Sequence, residues 1–326
     1  MMMIPWIVLL KPWYYVDIIV PLVITNAFIL GGFSVLAVGV LARRLTKDDR
    51  IAATAAALWA LLPLLTYFAF FWHFDPVILR SVHVPKLAWM NGLSDGPATF
   101  YLLLAAMTLS LNIERGKHPS LWQMAGAGAA MGLAVTFRIH VAPAVACMLG
   151  YVLLAHGWKA LAVTCAGGLV AYIPQGWYNQ VAFGIPITTG YISAYDYFPE
   201  AGRVTLLDRM PFSPRELLGL WDYFVVRRPW VLIPLALAAA AVLFTVWMLW
   251  RERGWRAVAL GIAVPVAYLG PIALSWPFRD DPIRFAMPSY PYLLIACLYA
   301  VRAFSDILIR RGVRVKTLPT PPQSEI

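Results

Sequence analysis

Arg138 stands between two apolar runs, in the sequence GLAVTFRIHV, with His140 two residues further on. A guanidinium there has two uses. It can reach lipid headgroups with its charged end while its stem stays in the apolar layer. It can also hold a phosphate, because its planar five-donor fork matches that anion. Asp95 opens another apolar run, in NGLSDGPATF. It can cap a helix, with Pro97 in the first turn, or it can offer a carboxylate at the lipid boundary to orient a hydroxyl or help hold a cation. A third segment, WPFRDDPIRFAMPSYPYL, alternates Arg279, Asp280, Asp281 and Arg284. Local ion pairing accounts for one Arg–Asp pair. Arg284 lies deepest and is the second candidate for a phosphate contact. In WHFDPVILRSVHVPKL, the group His73, Asp75 and His83 has the ligand types for a divalent metal, and ordinary loop polarity is the competing reading. Asp75 and Asp95 are the candidate catalytic carboxylates.

Other chemistry is missing from the sequence. There is no glycine-rich phosphate loop followed by Lys, no nucleophile elbow and no zinc helix with paired His, which argues against ATP-driven transport by this chain and against those hydrolase mechanisms. Acidic residues are sparse within the apolar runs, whereas a proton-coupled transporter usually carries some there. Cys147, Cys165 and Cys297 all fall inside apolar runs and read as small core residues rather than a disulfide or metal framework.

The elements that must position these residues are membrane helices. The chain is 61% hydrophobic and 13% charged, with a mean hydropathy of +0.71, a balance that excludes a soluble globular domain of this length. Nine apolar stretches, near 17–41, 51–72, 96–113, 120–137, 139–156, 160–180, 229–250, 256–277 and 285–304, approach the ~20 residues a helix needs to cross a bilayer. None shows strand-like alternation, so the expected fold is all-α and polytopic. If the first stretch runs inward, the inner connectors and tail carry 15 Lys/Arg and 6 Asp/Glu, against 11 and 10 outside. That is the positive-inside bias. It assigns the net charge of +10 to topology and to anionic lipid headgroups, not to nucleic acid. Asp95, Arg138 and Arg284 then share the outer side with the long connectors 73–95, 181–228 and 278–284. Within the largest of these, 214–224 has the spacing of a short amphipathic helix lying in the interface or packed on the loops. Gly128 and Gly132, four residues apart, permit close helix approach. No internal repeat is evident along the chain.

Several motifs together resemble those of membrane glycosyltransferases of the GT-C type, in particular bacterial relatives of the dolichyl-phosphate-mannose protein mannosyltransferases. They are VITNAF followed by an inner ARRL, SDGP around Asp95, GLAVTFR ending on Arg138, PQGWYNQVAFGIPITTGY, and IRFAMPSYPYL. The match runs from about residue 17 to 304. It implies a GT-C-like domain over 1–304, with an outer loop at 181–228 and an inner, disordered tail at 305–326, in a bacterial cytoplasmic membrane with its active face extracytoplasmic. It also implies transfer of a sugar from a polyprenyl-phosphate carrier to a protein, lipid or glycan acceptor. By position, Arg138, His140 and Arg284 would serve the donor phosphate, Asp95 would lie near the sugar, and Asn179 and Tyr191 would shape the outer cavity. A divalent metal is a cofactor that this reading admits. The chain departs from the family at its start. MMMIPWIVLLKPWYYVD resembles the tail of the family's first outer loop, and the acidic catalytic pair expected in that loop is not found; Asp17 can simply cap the first span. Two expectations follow: a sequence shortened at its N-terminus, or a diverged relative that binds or moves lipid-linked sugars without transferring them.

Overall fold

The computed structural model describes residues 29–71, 95–115, 119–184, 186, 218, 221–226, 229, 232–273 and 286–310. Among them every regular element is helical and no strand occurs. In chain order the helices are α1 (Gly31–Thr46), α2 (Asp49–Phe71), α3 (Asp95–Leu109), α4 (Leu111–Arg115), α5 (Leu121–Phe137), α6 (Ala142–Phe183), α7 (Leu232–Arg253), α8 (Trp255–Val258), α9 (Val264–Ala273) and α10 (Tyr290–Arg310). Among the described residues five segments are long and apolar enough to cross a membrane: Asp95–Ile113, Ile139–Val181, Leu235–Arg253, Trp255–Ala273 and Met287–Ile309. The protein is thus a helical membrane protein by length and composition. Its surface agrees, since Leu169, Ile173, Trp177, Leu237 and Leu243 are all exposed. Such a surface is tolerable facing lipid and is an aggregation liability in water.

The 43-residue segment Ile139–Val181 would form a rod of roughly 65 Å, about twice the hydrocarbon thickness. It is not one rod. Gly157 interrupts α6 with φ 80° and ψ −177°. The packing shows that the chain reverses there. Gly128 of α5 lies against Thr164, and one turn further along Gly132 lies against Gly168. The contacts climb in step, so the second half of α6 runs parallel to α5. The first half leaves the far end of α5 through a short turn and runs back. The two stretches expected at 139–156 and 160–180 are therefore two helices of opposite direction. The expected close approach at Gly128 and Gly132 is present, and its partner is the second half of α6.

Gly157 has a near-twin in Gly254, between α7 and α8, with φ 76° and ψ −178°. This region of backbone space is essentially restricted to glycine. An added Cβ would meet nothing within 4 Å at either position, so the backbone alone sets the cost. Gly157→Ala and Gly254→Ala are each expected to lower stability by about 1–3 kcal/mol. Gly150→Ala, on a helix and equally uncrowded, should be neutral or stabilising by up to ~1 kcal/mol. Thermal denaturation of the three variants in detergent checks this; equal melting temperatures would refute it.

One end of the helices is braced by basic residues of the connectors expected to lie inward. Arg44 donates to the Met107 carbonyl at the end of α3. Arg253 donates to the Thr46 carbonyl at the end of α1, at 2.8 Å. Cations suit these C-terminal carbonyls. Arg302 bridges Asp48 at 3.5 Å and Asp306 at 3.0 Å, and the Tyr299 hydroxyl donates to Glu252 at 2.5 Å. Ser120 and Gln123 form a reciprocal capping box that starts α5 on this side. α10 continues helically to Arg310, past the expected boundary at 304, and 311–326 lie outside the described residues. The three cysteines remain thiols within helices.

Candidate functional site

The polar feature that stands out lies at the opposite end of the helices, where α3 begins and α5 stops, the end expected from the Lys and Arg distribution to face outward. Helix α5 ends because Arg138 leaves helical space, with φ −153° and ψ 106°. Its N–H still closes the last turn onto the Ala134 carbonyl at 2.9 Å, and its own carbonyl starts the next turn by accepting from Val141 at 3.1 Å. This single extended residue links α5 to the 3₁₀ turn Ile139–Val141 and then to α6. At that junction the Arg138 guanidinium forms an ion pair with the Asp95 carboxylate through Nη1 and Oδ1. Asp95 is the first residue of α3. The Arg138 side chain is 5% exposed and that of Asp95 is 0% exposed.

Other polar side chains gather at the same end. His140 follows on the 3₁₀ turn, half-buried and within reach of the Arg138 charge. Tyr268 of α9 is buried and also lies within that reach. Thr99, one turn below, donates to the Asp95 carbonyl at 2.7 Å. The 3₁₀ turn Met287–Ser289 packs on both α3 and α9 and is buried, with the Ser289 hydroxyl donating to the Ala286 carbonyl at 2.6 Å. α3, α5, α6 and α9 thus converge at this end around one buried Arg–Asp pair. Removing such charges from water is expensive, and the pair persists only because each partner satisfies the other.

The structure brings together three of the residues singled out from the sequence: Asp95, Arg138 and His140. Asn179 is engaged differently. Its Nδ2 donates to the Pro186 carbonyl at 3.1 Å, and its Oδ1 accepts from Gln175 at 2.8 Å. Tyr172 donates to the same carbonyl at 3.2 Å. Asn179 therefore ties Pro186 back to the last turns of α6. His73, Asp75, His83, Tyr191 and Arg284 lie outside the described residues, as does Asp17. Among the described residues no group of three His, Cys, Asp or Glu side chains is placed to hold a metal. Of the short helix expected over 214–224, Leu218 and the turn from Trp221 are described, and Leu218 and Trp221 are exposed.

Two features of this end escape a reading of the sequence. One is the pairing of Asp95 with Arg138; the other is Tyr268. The first has a signal. A helix that starts on the outer side and one that ends there present those termini at the same depth. Tyr268 carries none, because nothing in its local sequence sets it apart from other aromatic residues in the spans. Comparison of the chain with family models gives no match, and no curated protein or solved structure is similar to it at a significant level.

Proposed function

We propose that this chain crosses the membrane nine times in a GT-C-like arrangement and handles a polyprenyl-phosphate-linked sugar at the extracytoplasmic face, passing the sugar to a protein, lipid or glycan acceptor. One observation carries the reading. Asp95 and Arg138, the charged residues of the SDGP and GLAVTFR motifs, are 43 positions apart, yet they meet in a buried ion pair at the outer end. The reversal at Gly157 supports the nine-span count, as does the apolar composition of α5. In the reaction, the acceptor hydroxyl oxygen forms a bond to the sugar's anomeric carbon as the bond from that carbon to the phosphate oxygen breaks. A carboxylate takes the hydroxyl proton, and cationic side chains stabilise the departing lipid phosphate. Arg138 and Arg284 are the cations offered for the second role, with His140 two residues after Arg138.

A second reading, a non-catalytic binder or carrier of lipid-linked sugars, is favoured by a different observation. The Asp95 carboxylate is committed to Arg138, which suits a positioning role better than that of a base. One experiment with two arms separates the readings. Purified full-length protein is tested for stabilisation by a polyprenyl-phosphate sugar relative to the uncharged polyprenol. Membranes containing it are then tested for transfer of labelled sugar into an acceptor fraction. Binding with transfer supports the enzyme. Binding without transfer supports the carrier. The absence of both overturns both readings.

A further inference from the structure

The two glycine turns are copies of one device. Residues 157–163 read GWKALAV and residues 254–260 read GWRAVAL. Gly, Trp and two Ala coincide, and the remaining three positions exchange Lys for Arg and Leu for Val. This short repeat escapes a scan for domain-scale periodicity, and the backbone makes it visible. Gly157 and Gly254 share one unusual conformation, within a few degrees. Each is followed by an exposed Trp: Trp158 at 74% and Trp255 at 37%. Next comes a basic residue, exposed Lys159 or half-buried Arg256, and then a buried Ala, Ala160 or Ala257.

The two copies lie side by side. Tyr151, six residues before Gly157, has its ring 5.9 Å from His156 and 5.7 Å from Trp255. The Arg256 charge reaches Tyr151, and the Arg256 guanidinium lies 5.9 Å from the centre of the Trp255 ring. Beneath them, Asn112 accepts from the Tyr151 hydroxyl at 3.1 Å and pairs with His156 Nε2 at 3.0 Å. Tyr151 thus links His156, directly before the first turn, to Trp255 of the second, and each turn adds one indole and one cation. On the same side Arg251 covers Trp247 at 5.1 Å.

Helix stability does not account for the cations. Lys159 and Arg256 sit just after a helix start, where the macrodipole disfavours positive charge. An external anion does account for them. The positive-inside bias puts both turns at the inner face, where Trp prefers the headgroup level and anionic lipids attract Lys and Arg. We propose that the paired Gly-Trp-basic turns form an inner-face binding site for anionic phospholipid headgroups, with the indoles fixing depth and with Lys159 and Arg256 holding the phosphates. This site is independent of the outer reading and holds whether or not the chain transfers sugar.

The test uses the full-length protein in phosphatidylcholine nanodiscs with and without phosphatidylglycerol, reading retained lipid by native mass spectrometry. Wild type is expected to retain phosphatidylglycerol over phosphatidylcholine. A basic residue that holds a headgroup in the site contributes about fivefold beyond the general attraction of the face, so Lys159→Gln with Arg256→Gln should cut the preference by about 25-fold. A control removes equal charge elsewhere on the inner face. Lys47 and Arg50 are both exposed, and Lys47→Gln with Arg50→Gln should keep most of the preference. The proposal is overturned if wild type shows no preference, if the turn variant keeps it, or if both double variants lose it equally. Should the turn variant fail to fold, Arg256→Gln alone decides by the same reading, with a loss of about fivefold expected and no loss contradicting the site.

Discussion

Asp95→Ala is expected to destabilise the protein by about 3–5 kcal/mol, because it strands the Arg138 guanidinium in a buried site without its counter-charge. Both side chains are at least 95% buried, so solvent screening, which makes surface pairs nearly worthless, gives little relief here. The effect belongs to the pair, and the variants should show it. Arg138→Ala should be as damaging as Asp95→Ala, and the double variant should cost clearly less than the sum of the two, with a coupling of at least ~1 kcal/mol for groups in direct contact. Asp95→Asn keeps an acceptor and should fall between wild type and Asp95→Ala. Arg138→Lys keeps the charge but loses the planar fork, and should not restore wild-type stability. Denaturation of the full chain in detergent measures all of these. Additive single effects would show that the pair is not the source.

Gly128→Ala is the second large effect, and it arises from shape rather than charge. An added Cβ would lie 1.8 Å from the Thr164 carbonyl oxygen and 2.7 Å from its carbon. At Gly132 the nearest atom is the Gly168 carbonyl oxygen at 2.3 Å. These are backbone atoms, so no side chain can turn away. Restoring ordinary contact at Gly128 requires α5 and the second half of α6 to part by about 1.5 Å. Small residues at helix crossings in membranes serve this close approach. Overpacking of a fitted core costs about 1–3 kcal/mol, and this position should reach the upper end. Gly126, on the same helix, would place an added methyl with nothing within 4 Å, so Gly126→Ala should stabilise by up to ~1 kcal/mol through helix propensity alone. Opposite signs two residues apart are the signature. Equal effects would mean that the helices do not meet as described.

The sequence carries these features unequally. Apolar run length yields the helices, because it acts through a bulk property that composition records, and the distribution of Lys and Arg supplies the expected orientation. The Gly128–Gly132 contact is legible as a spacing, but its partner is not. Gly167 and Gly168 are adjacent rather than four apart, and the match with α5 needs the chain reversal at Gly157. Asp95 reads as a helix cap and Arg138 as a phosphate ligand or an interfacial anchor. Each residue alone supports those readings; only the meeting of two helix ends shows that they neutralise one another. Arg44 and Arg253 read as topology signals in the sequence, and in the fold they also cap the carbonyls of neighbouring helices. That second role depends on contacts between residues 63 and 207 positions apart, which local sequence does not encode.

The buried pair also bears on function. Under the proposed function, the Asp95 carboxylate that neutralises Arg138 sets the charge that a lipid phosphate would meet at this end. The most direct measurement is therefore the binding arm: the melting temperature of the full-length protein with a polyprenyl-phosphate sugar against the same concentration of uncharged polyprenol. A clear increase with the phosphate-linked sugar alone is the expected result. Equal shifts with both lipids, or none with either, would contradict recognition of a lipid-linked phosphate at this face.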